Sequence, residues 1–224
     1  MIRFLQDVQD MEQGITITKE TERFFYQMGV ASPFPNSFFL KRATNPLVGQ
    51  ILGGIILSNR YLTAMTTNTR SITAVYTNED EGPNVIGNKA FAMLDIRLLP
   101  GETPDGYRAR IEEIAARHEV KIVQEISRIT PNSSPIDSPF FQALAAAATG
   151  AVPGSVATPL LTPGNTDNTV FRQLGLHCYG LTPVLLNETE LGSTHSKNEY
   201  LSLENLELGI RVMLDSLVSV NSAQ

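Results

Sequence analysis

Two polar turns near the C-terminal end of the chain contain the side chains best suited to chemistry. The first, TPGNTDN, spans residues 162–168, and the second, THSKNE, spans residues 194–199. The apolar run between them is typical of a buried strand. In α/β proteins, turns at the ends of apolar strands usually hold the functional side chains, because the backbone is open there and the scaffold beneath is rigid. We therefore expect a site at this edge.

The three histidines differ in what their surroundings indicate. His118 ends a predicted helix, where a cation favours the helix dipole. His177 lies on a predicted strand beside Cys178, and this pattern is typical of a core histidine and a buried thiol. His195 instead lies in a polar turn, with Glu199 four residues later. Its position indicates a metal-binding or catalytic role.

Neither role of His195 comes with a complete set of partners. A metal site needs three or four converging ligands, and no H-x-D, H-E-x-x-H or paired-carboxylate motif accompanies His195. A serine nucleophile, Ser193 or Ser196, would need a histidine and an acid such as Asp167, but no nucleophile elbow is present. The GNTDN turn has two interpretations: it presents backbone N–H groups to an anion, or Asp167 or Asn168 simply caps the following helix.

Composition excludes several classes of protein. The 224 residues are enough for one large or two modest domains with a sizeable core. A net charge of −6 and a pI near 5.1 argue against a nucleic-acid surface, so small molecules or proteins are the expected partners. A single cysteine cannot form an internal disulfide, and it gives no sign of an oxidising compartment.

No segment has the pattern of a membrane span or an export signal. The longest apolar run, VGQILGGIIL, falls short of the roughly 20 residues that a membrane helix needs, and Gly53 and Gly54 interrupt it. The start, MIRFLQDVQDMEQG, contains acids where a signal peptide has its apolar region. We therefore expect no membrane association and favour a cytoplasmic location.

The first half of the chain predicts an incomplete α+β sandwich. Apolar spacing favours helices over 2–12, 20–28, 46–65 and 104–118 and strands over 71–77, 89–99 and 119–126. In chain order, the last five of these elements are helix, strand, strand, helix and strand. This is the order of a ferredoxin-like βαββαβ domain without its first strand. A missing strand leaves backbone groups unpaired at a sheet edge.

The Pro/Ser-rich segment TPNSSPIDSP predicts a domain boundary, with one domain over 1–128 and a second over 129–224. The second domain reads as α/β layers: helices over 139–150 and 169–175, strands over 155–161 and 177–186, and a long terminal helix from residue 203. The predicted core stripe of that helix is Leu206, Ile210, Met213 and Leu217.

Four segments carry a resemblance to a known family: NVIGNKAFAMLDIRLLPGET, TPGNTDNTVFRQLG, YGLTPVLL and HSKNEYLSLENLELGIRVM. They resemble, in order and spacing, segments of the zinc-dependent aminoacylase/carboxypeptidase superfamily. Its carboxypeptidase S-like branch is the most similar, and succinyl-diaminopimelate desuccinylase and glutamate carboxypeptidase are relatives. The resemblance covers nearly the whole chain, and it implies an α/β fold with an α+β lid, followed by the C-terminal part of the catalytic domain.

The resemblance also implies an activity. Such enzymes hydrolyse an amide bond next to a carboxylate, in an N-acyl amino acid or peptide, with two zinc ions, a bridging water and a glutamate base. It implies that His195 is a metal ligand, supported by Glu199, and that the lid mediates homo-oligomerisation. The residues implied to contact the substrate are Asn84, Gly164, Asn165, Asp167 and Thr169.

Departures from the family pattern are large. The family's H-x-D, bridging aspartate and Glu-Glu residues lie in an N-terminal region without a counterpart here, so no catalytic set is complete in this chain. Thr169 stands where the family has a cation for the substrate carboxylate, Gly87 replaces a proline, and Ser196 replaces a glycine. We expect a C-terminal portion that binds zinc weakly or not at all, is inactive alone, and has a missing N-terminal half as partner. The alternative is a non-catalytic dimerisation or binding module.

Overall fold

A computed structural model describes residues 1–12, 14–77, 87–162 and 164–222 of the chain. Ten helices and two strands form within these ranges. In chain order they are α1 (Ile2–Asp10), α2 (Lys19–Ala31), α3 (Asn36–Leu40), α4 (Pro46–Ser58), α5 (Arg60–Thr66), β1 (Thr69–Thr77), β2 (Ala90–Arg97), α6 (Pro104–Arg117), α7 (Pro139–Ala151), α8 (Asn168–Gln173), α9 (Glu188–Ser193) and α10 (Leu203–Ser222). Helices with a small antiparallel sheet confirm the predicted α/β class.

Helices α1 and α6 pack together on one face of the sheet. The buried residues of this cluster recur at helical spacing: Phe4, Leu5 and Val8 of α1, and Tyr107, Ile111, Ile114 and Ala115 of α6. Ala92, Leu94 and Ile96 of β2 pack against it from alternate positions. Thr103 caps α6 by accepting a hydrogen bond from the N–H of Gly106, and Pro104 occupies the first turn.

The sheet is a single antiparallel hairpin. Thr69 pairs with Arg97 at one end and Thr77 with Ala90 at the other, with an irregularity between Ile72 and Ala74. Both strands agree with the sequence prediction. The pairing leaves the outer edge of each strand without a neighbouring strand among the described residues.

A second buried cluster joins α2 and α4 through Phe25, Val48, Leu52 and Ile56, with Ala43 beside them. The prediction of one helix over 46–65 was wrong in detail, because the helix breaks at Asn59 and not at the glycine pair. Asn59 has an extended backbone, and its side chain accepts hydrogen bonds from the N–H groups of Tyr61 and Leu62, so it begins α5. The proline-interrupted segment 32–40 contains the short helix α3.

Three predicted strands are absent from the structure. The segments 119–126, 155–161 and 177–186 have apolar patterns typical of strands but form no ladder. A strand exists only where a neighbour pairs with its backbone, and an apolar pattern does not supply that neighbour. At Leu185 a side chain takes this role: Asn205 accepts a hydrogen bond from the N–H of Leu185 and donates one to its carbonyl oxygen.

Helix α10 packs against α7 with a face that is displaced by one residue, a rotation of about 100°, from the predicted one. The buried positions are Asn205, Gly209, Val212 and Ser216, whereas Ile210 is 62% exposed. The other members of the predicted core stripe, Leu206, Met213 and Leu217, are also exposed. The prediction was wrong because the helix is apolar on more than one side, and small or polar residues fit the close approach to α7 better.

No helix in the described part of the chain is long and apolar enough to cross a membrane.

Candidate functional site

The turn at residues 164–167 leads directly into the short helix α8. The N–H of Thr169 donates a 3.1 Å hydrogen bond to the carbonyl oxygen of Thr166, and the carbonyl oxygen of Asp167 accepts bonds from Val170 and Phe171. Asp167 occupies the N-cap position, but its side chain forms no capping hydrogen bond and is exposed. The sequence left two interpretations of this turn open, an anion-binding site and a helix cap. The Asp167 carboxylate does not act as the cap.

Thr169 is held by two asparagines. Its hydroxyl donates to Oδ1 of Asn165 at 3.4 Å, and its carbonyl oxygen accepts a 3.0 Å bond from Nδ2 of Asn132. The Oδ1 atom of Asn132 is buried and has no hydrogen-bond partner among the described residues. Sequence reasoning missed Asn132, because it lies in the Pro/Ser-rich connector, where no local pattern distinguishes a structural asparagine from a loop residue.

A second connection between the connector and this region is centred on Ser134. Its hydroxyl oxygen accepts hydrogen bonds from the N–H of Cys178 (2.9 Å) and from Nε of Arg172 (3.0 Å), and the hydroxyl donates to the carbonyl oxygen of Cys178 (2.8 Å). Arg172 also donates to the same carbonyl. Ser134 is 8% exposed, so the group is largely shielded from water. The only cation of α8 is thereby used to fix the backbone.

His195 has an unusual backbone conformation. Its φ of +66° lies in the left-handed region, which non-glycine residues rarely adopt, although histidine does so more often than most. The N–H of His195 donates a 2.9 Å hydrogen bond to Oε2 of Glu199, so the spacing of four residues noted in the sequence corresponds to a direct contact. Both residues are exposed, and the imidazole has no hydrogen-bond partner within the described ranges.

The other two histidines have different surroundings. His118 ends α6, as predicted, and its Nε2 lies 2.7 Å from Oδ2 of Asp7 on α1, so the ring joins the two helices. His177 is exposed, and the prediction of a core histidine was wrong, because the segment 177–186 is not an interior strand. Cys178 is half-buried.

A cleft of about 1970 Å³ runs along the sheet and the C-terminal segments. Among the predicted substrate residues, Gly164, Asn165 and Thr169 line it, together with Asn132. Asp167, His195 and Glu199 do not line it, so the structure brings part of the predicted site together and keeps the His195 turn apart. Asn84 lies outside the described residues.

Charged residues fix the segment 119–129 to α6. Glu125 accepts hydrogen bonds from Arg128 and Arg108, and Arg128 also contacts Asp105. The hydrogen bond and charge of Arg128 outweigh partial desolvation and, with Arg108, lower the pKa of Glu125 to about 2. Hydrogen bonds to Glu125 raise the pKa of Arg128.

Glu20 of α2 makes a similar contact. Its Oε1 accepts a 2.7 Å bond from the Ser133 hydroxyl. Burial raises the pKa of Glu20, but this bond, together with its own backbone N–H, Thr18 and Lys19, outweighs the burial, so the pKa lies below its usual value.

The described residues do not form a metal site on their own. No three His, Cys, Asp or Glu side chains in these ranges converge as metal ligands. A zinc ion bound by protein needs three or four such ligands, and His195 supplies one imidazole. The residues present therefore do not fit a zinc pair.

The comparisons with known proteins agree on one protein family. The chain is 26% identical to the "Probable carboxypeptidase S-like 1" of Dictyostelium discoideum over 166 residues, covering 72% of this chain and 33% of that protein. It is 24% identical to the "Probable carboxypeptidase S-like 2" of the same organism over 189 residues, covering 84% of this chain and 36% of the relative. The chain thus spans about a third of the length of these curated relatives.

A solved structure shows a similar fold. The M20 family metallo-carboxypeptidase Sso-CP2 from Sulfolobus solfataricus matches with a TM-score of 0.57 at 16% identity, covering 96% of this chain and 51% of that chain. The sequence model of peptidase family M20/M25/M40 matches residues 8–219, which is nearly the whole chain, so the protein belongs to this peptidase family.

Proposed function

We propose that this chain contributes part of the active site of a metallopeptidase. The enzyme hydrolyses an amide bond next to a carboxylate, in an N-acyl amino acid or a peptide. The family match over residues 8–219 carries this proposal. The names of the two Dictyostelium relatives, both probable carboxypeptidase S-like proteins, support the substrate class.

In this proposal the turn at 164–169 contacts the substrate. Gly164, Asn165 and Thr169 line the cleft, and Asn132 holds the carbonyl of Thr169, so the turn offers polar groups from a fixed backbone. We also propose substrate contacts for Asp167 and Asn84, on the family resemblance alone: the Asp167 carboxylate has no capping role but does not line the cleft, and Asn84 lies outside the described residues. Thr169 has no charge for a substrate carboxylate, so a cation from elsewhere is needed for tight binding.

His195 is proposed as a metal ligand of the assembled enzyme, which holds two zinc ions. Glu199 fixes the backbone of His195 through a hydrogen bond, and so fixes the point from which the imidazole side chain extends. Because one imidazole does not hold zinc at useful affinity, the chain alone is inactive and binds zinc weakly or not at all. The remaining ligands come from residues outside this chain.

Hydrolysis assays of the purified chain test this proposal. The substrates are N-acetyl amino acids and dipeptides, with and without added zinc, and the His195→Asn variant is the matched control. We expect no turnover by either protein and no stoichiometric zinc binding in calorimetry. Turnover at enzymatic rates by the chain alone, abolished in His195→Asn, would contradict the claim of inactivity while supporting the assigned ligand.

A second candidate, a non-catalytic dimerisation or binding module, is favoured by the exposed apolar face of α10. Ile210, Leu214 and Leu217 are each about 60% exposed along this face. Contiguous exposed apolar surface of this kind marks an interaction site. Under this candidate the chain forms a homo-oligomer through the α10 face, with the lid expected to provide a second contact. Sedimentation discriminates the two: a clean monomer at micromolar concentration contradicts the module.

A further inference from the structure

Helix α4 is apolar on more than one side. Its 13 residues, Pro46–Ser58, include no charged side chain. Val48, Leu52 and Ile56 lie four residues apart, and all three are buried in the cluster shared with α2. A helix that is apolar all round is typical of a position covered on every side, in a protein core or by lipid. We therefore expect the outer face of α4 to have a covering partner as well.

Three aliphatic side chains form this outer face. Leu47, Ile51 and Ile55 are 74%, 58% and 57% exposed, and their spacing of four residues places them in one row along a helix about 20 Å long. Gly54 lies beside the row, and a Cβ atom added to it would meet no described atom within 4 Å. We call this surface the α4 face. It is open to solvent over most of its length.

An arginine stacked on an exposed aromatic ring lies on either side of α4 in the chain. Before the helix, the guanidinium carbon of Arg42 lies 4.2 Å from the centre of the Phe38 ring. After the helix, that of Arg60 lies 4.8 Å from the centre of the Tyr61 ring, and its Nη2 donates a 2.9 Å hydrogen bond to the Tyr61 hydroxyl oxygen. Neither arginine forms an ion pair within the described ranges. Both charges therefore remain open to an anion.

The charges of the chain are divided unevenly along its length. Residues 23–78 contain five lysines and arginines and no aspartate or glutamate, although the whole chain has a net charge of −6. The α4 face thus belongs to a positive segment of an acidic protein, and its charge is complementary to an anionic partner.

The aliphatic character of the α4 face favours lipid over protein as that partner. A protein interface forms about one hydrogen bond per 100–200 Å² of buried area, and the row of Leu47, Ile51 and Ile55 has no side-chain group that could form one. Acyl chains need no hydrogen bonds, because their contact with aliphatic side chains is driven by removal of apolar surface from water. Aromatic rings next to cations are typical of the level of the lipid headgroups.

We infer that the α4 face binds the surface of an anionic lipid bilayer, with the helix lying in the plane of the membrane. The aliphatic row enters the boundary between headgroups and acyl chains, and Lys41, Arg42 and Arg60 contact lipid phosphates. The sequence led us to expect no membrane association. That expectation considered a spanning helix and an export signal, whereas a helix in the membrane plane requires neither.

Sedimentation of the purified chain with lipid vesicles tests this inference. Vesicles of phosphatidylcholine are compared with vesicles that contain about 30% phosphatidylserine, whose surface is negative. We expect at least about tenfold tighter binding to the anionic vesicles, because each cation near such a surface contributes about a fivefold gain. Raising the salt concentration from about 0.1 M to about 1 M should remove most of this preference, because it shortens the range of the attraction.

Substitutions on the α4 face provide a second arm. Ile51→Ser should weaken binding to the anionic vesicles by about tenfold, because it removes an aliphatic side chain from the contact. The matched control is Ile210→Ser, the same change at a similarly exposed position of α10, which should leave the binding unchanged within about twofold. Arg42→Gln and Arg60→Gln keep the aliphatic row and should each weaken binding by about fivefold.

Four results would overturn the inference. Absence of binding to the anionic vesicles would leave a protein as the partner of the α4 face. Equal binding to both kinds of vesicle would remove the role of the cations. Equal losses in Ile51→Ser and Ile210→Ser would mean that any exposed apolar side chain is sufficient. Self-association without vesicles that Ile51→Ser abolishes would assign the face to a second copy of the chain. None of these measurements depends on hydrolysis.

Discussion

The backbone N–H of His195 donates a 2.9 Å hydrogen bond to the carboxylate of Glu199 while His195 itself lies at a φ of +66°. The left-handed region costs an L-residue about 1–2 kcal/mol, and glycine is free of this steric cost. The turn thus holds a histidine in a conformation that glycine would adopt more easily.

Replacing His195 with glycine should stabilise the isolated chain. We expect His195→Gly to raise the free energy of unfolding by about 0.5–1 kcal/mol, after the extra entropy of glycine in the unfolded state is subtracted. Urea unfolding measures the change. His195→Ala is the control, because alanine keeps the steric cost; equal stability of the two variants would contradict the strained turn.

Removing the Ser134 hydroxyl should destabilise the chain. Ser134→Ala leaves the N–H of Cys178 without its partner in a largely buried position, and this costs about 1–3 kcal/mol. The matched control is Ser127→Ala, since Ser127 is exposed and forms no hydrogen bond within the described ranges; it should change stability by less than about 0.5 kcal/mol. Indistinguishable denaturation curves for the two variants would show that Ser134 is not a structural centre.

The contacts of Glu125 predict a loss of stability in acid. Its pKa is about 2 in the folded chain, below the value of 4.5 for a free glutamate, because Arg128 and Arg108 stabilise the carboxylate. A depressed pKa gives stability that is complete above pH 4.5 and is lost as the pH falls towards 2.

Thermal unfolding from neutral pH down to pH 2 measures this effect. The natural chain should be more stable than Glu125→Gln at neutral pH, and the difference should shrink below pH 4.5. Glu113→Gln is the control, since Glu113 is an exposed carboxylate of α6 without an ion pair among the described residues. A difference independent of pH would mean that the glutamine acts through packing and not through charge.

Two substitutions on α10 distinguish its faces. Val212 is 2% exposed and Ile210 is 62% exposed. Val212→Ala should lower the free energy of unfolding by about 1–2 kcal/mol, the order of two lost buried methyl groups. Ile210→Ala should change it by less than about 0.5 kcal/mol and should reduce self-association, as measured by sedimentation. The reverse ranking would restore the stripe predicted from the sequence.

Local signals explain what the sequence by itself determined. Thr103 and Ser138 cap α6 and α7, and Ser202 accepts a hydrogen bond from the N–H of Asn205 at the start of α10. A cap acts over three or four residues, so neighbouring residue types are enough to identify it. The hairpin strands were predictable for a similar reason, because β1 and β2 are consecutive in the chain and each supplies the other's partner.

Only the tertiary structure decided the features that depend on distant residues. The segment 119–126 has the pattern of a strand, but after Val120 its backbone has no backbone hydrogen-bond partner in the described chain. The choice of the Val212 face of α10 depends on contact with α7, and the contact between Asn132 and Thr169 joins residues 37 positions apart. Apolar spacing records which side chains prefer burial, whereas hydrogen-bond partners and packing neighbours are set by how the whole chain comes together.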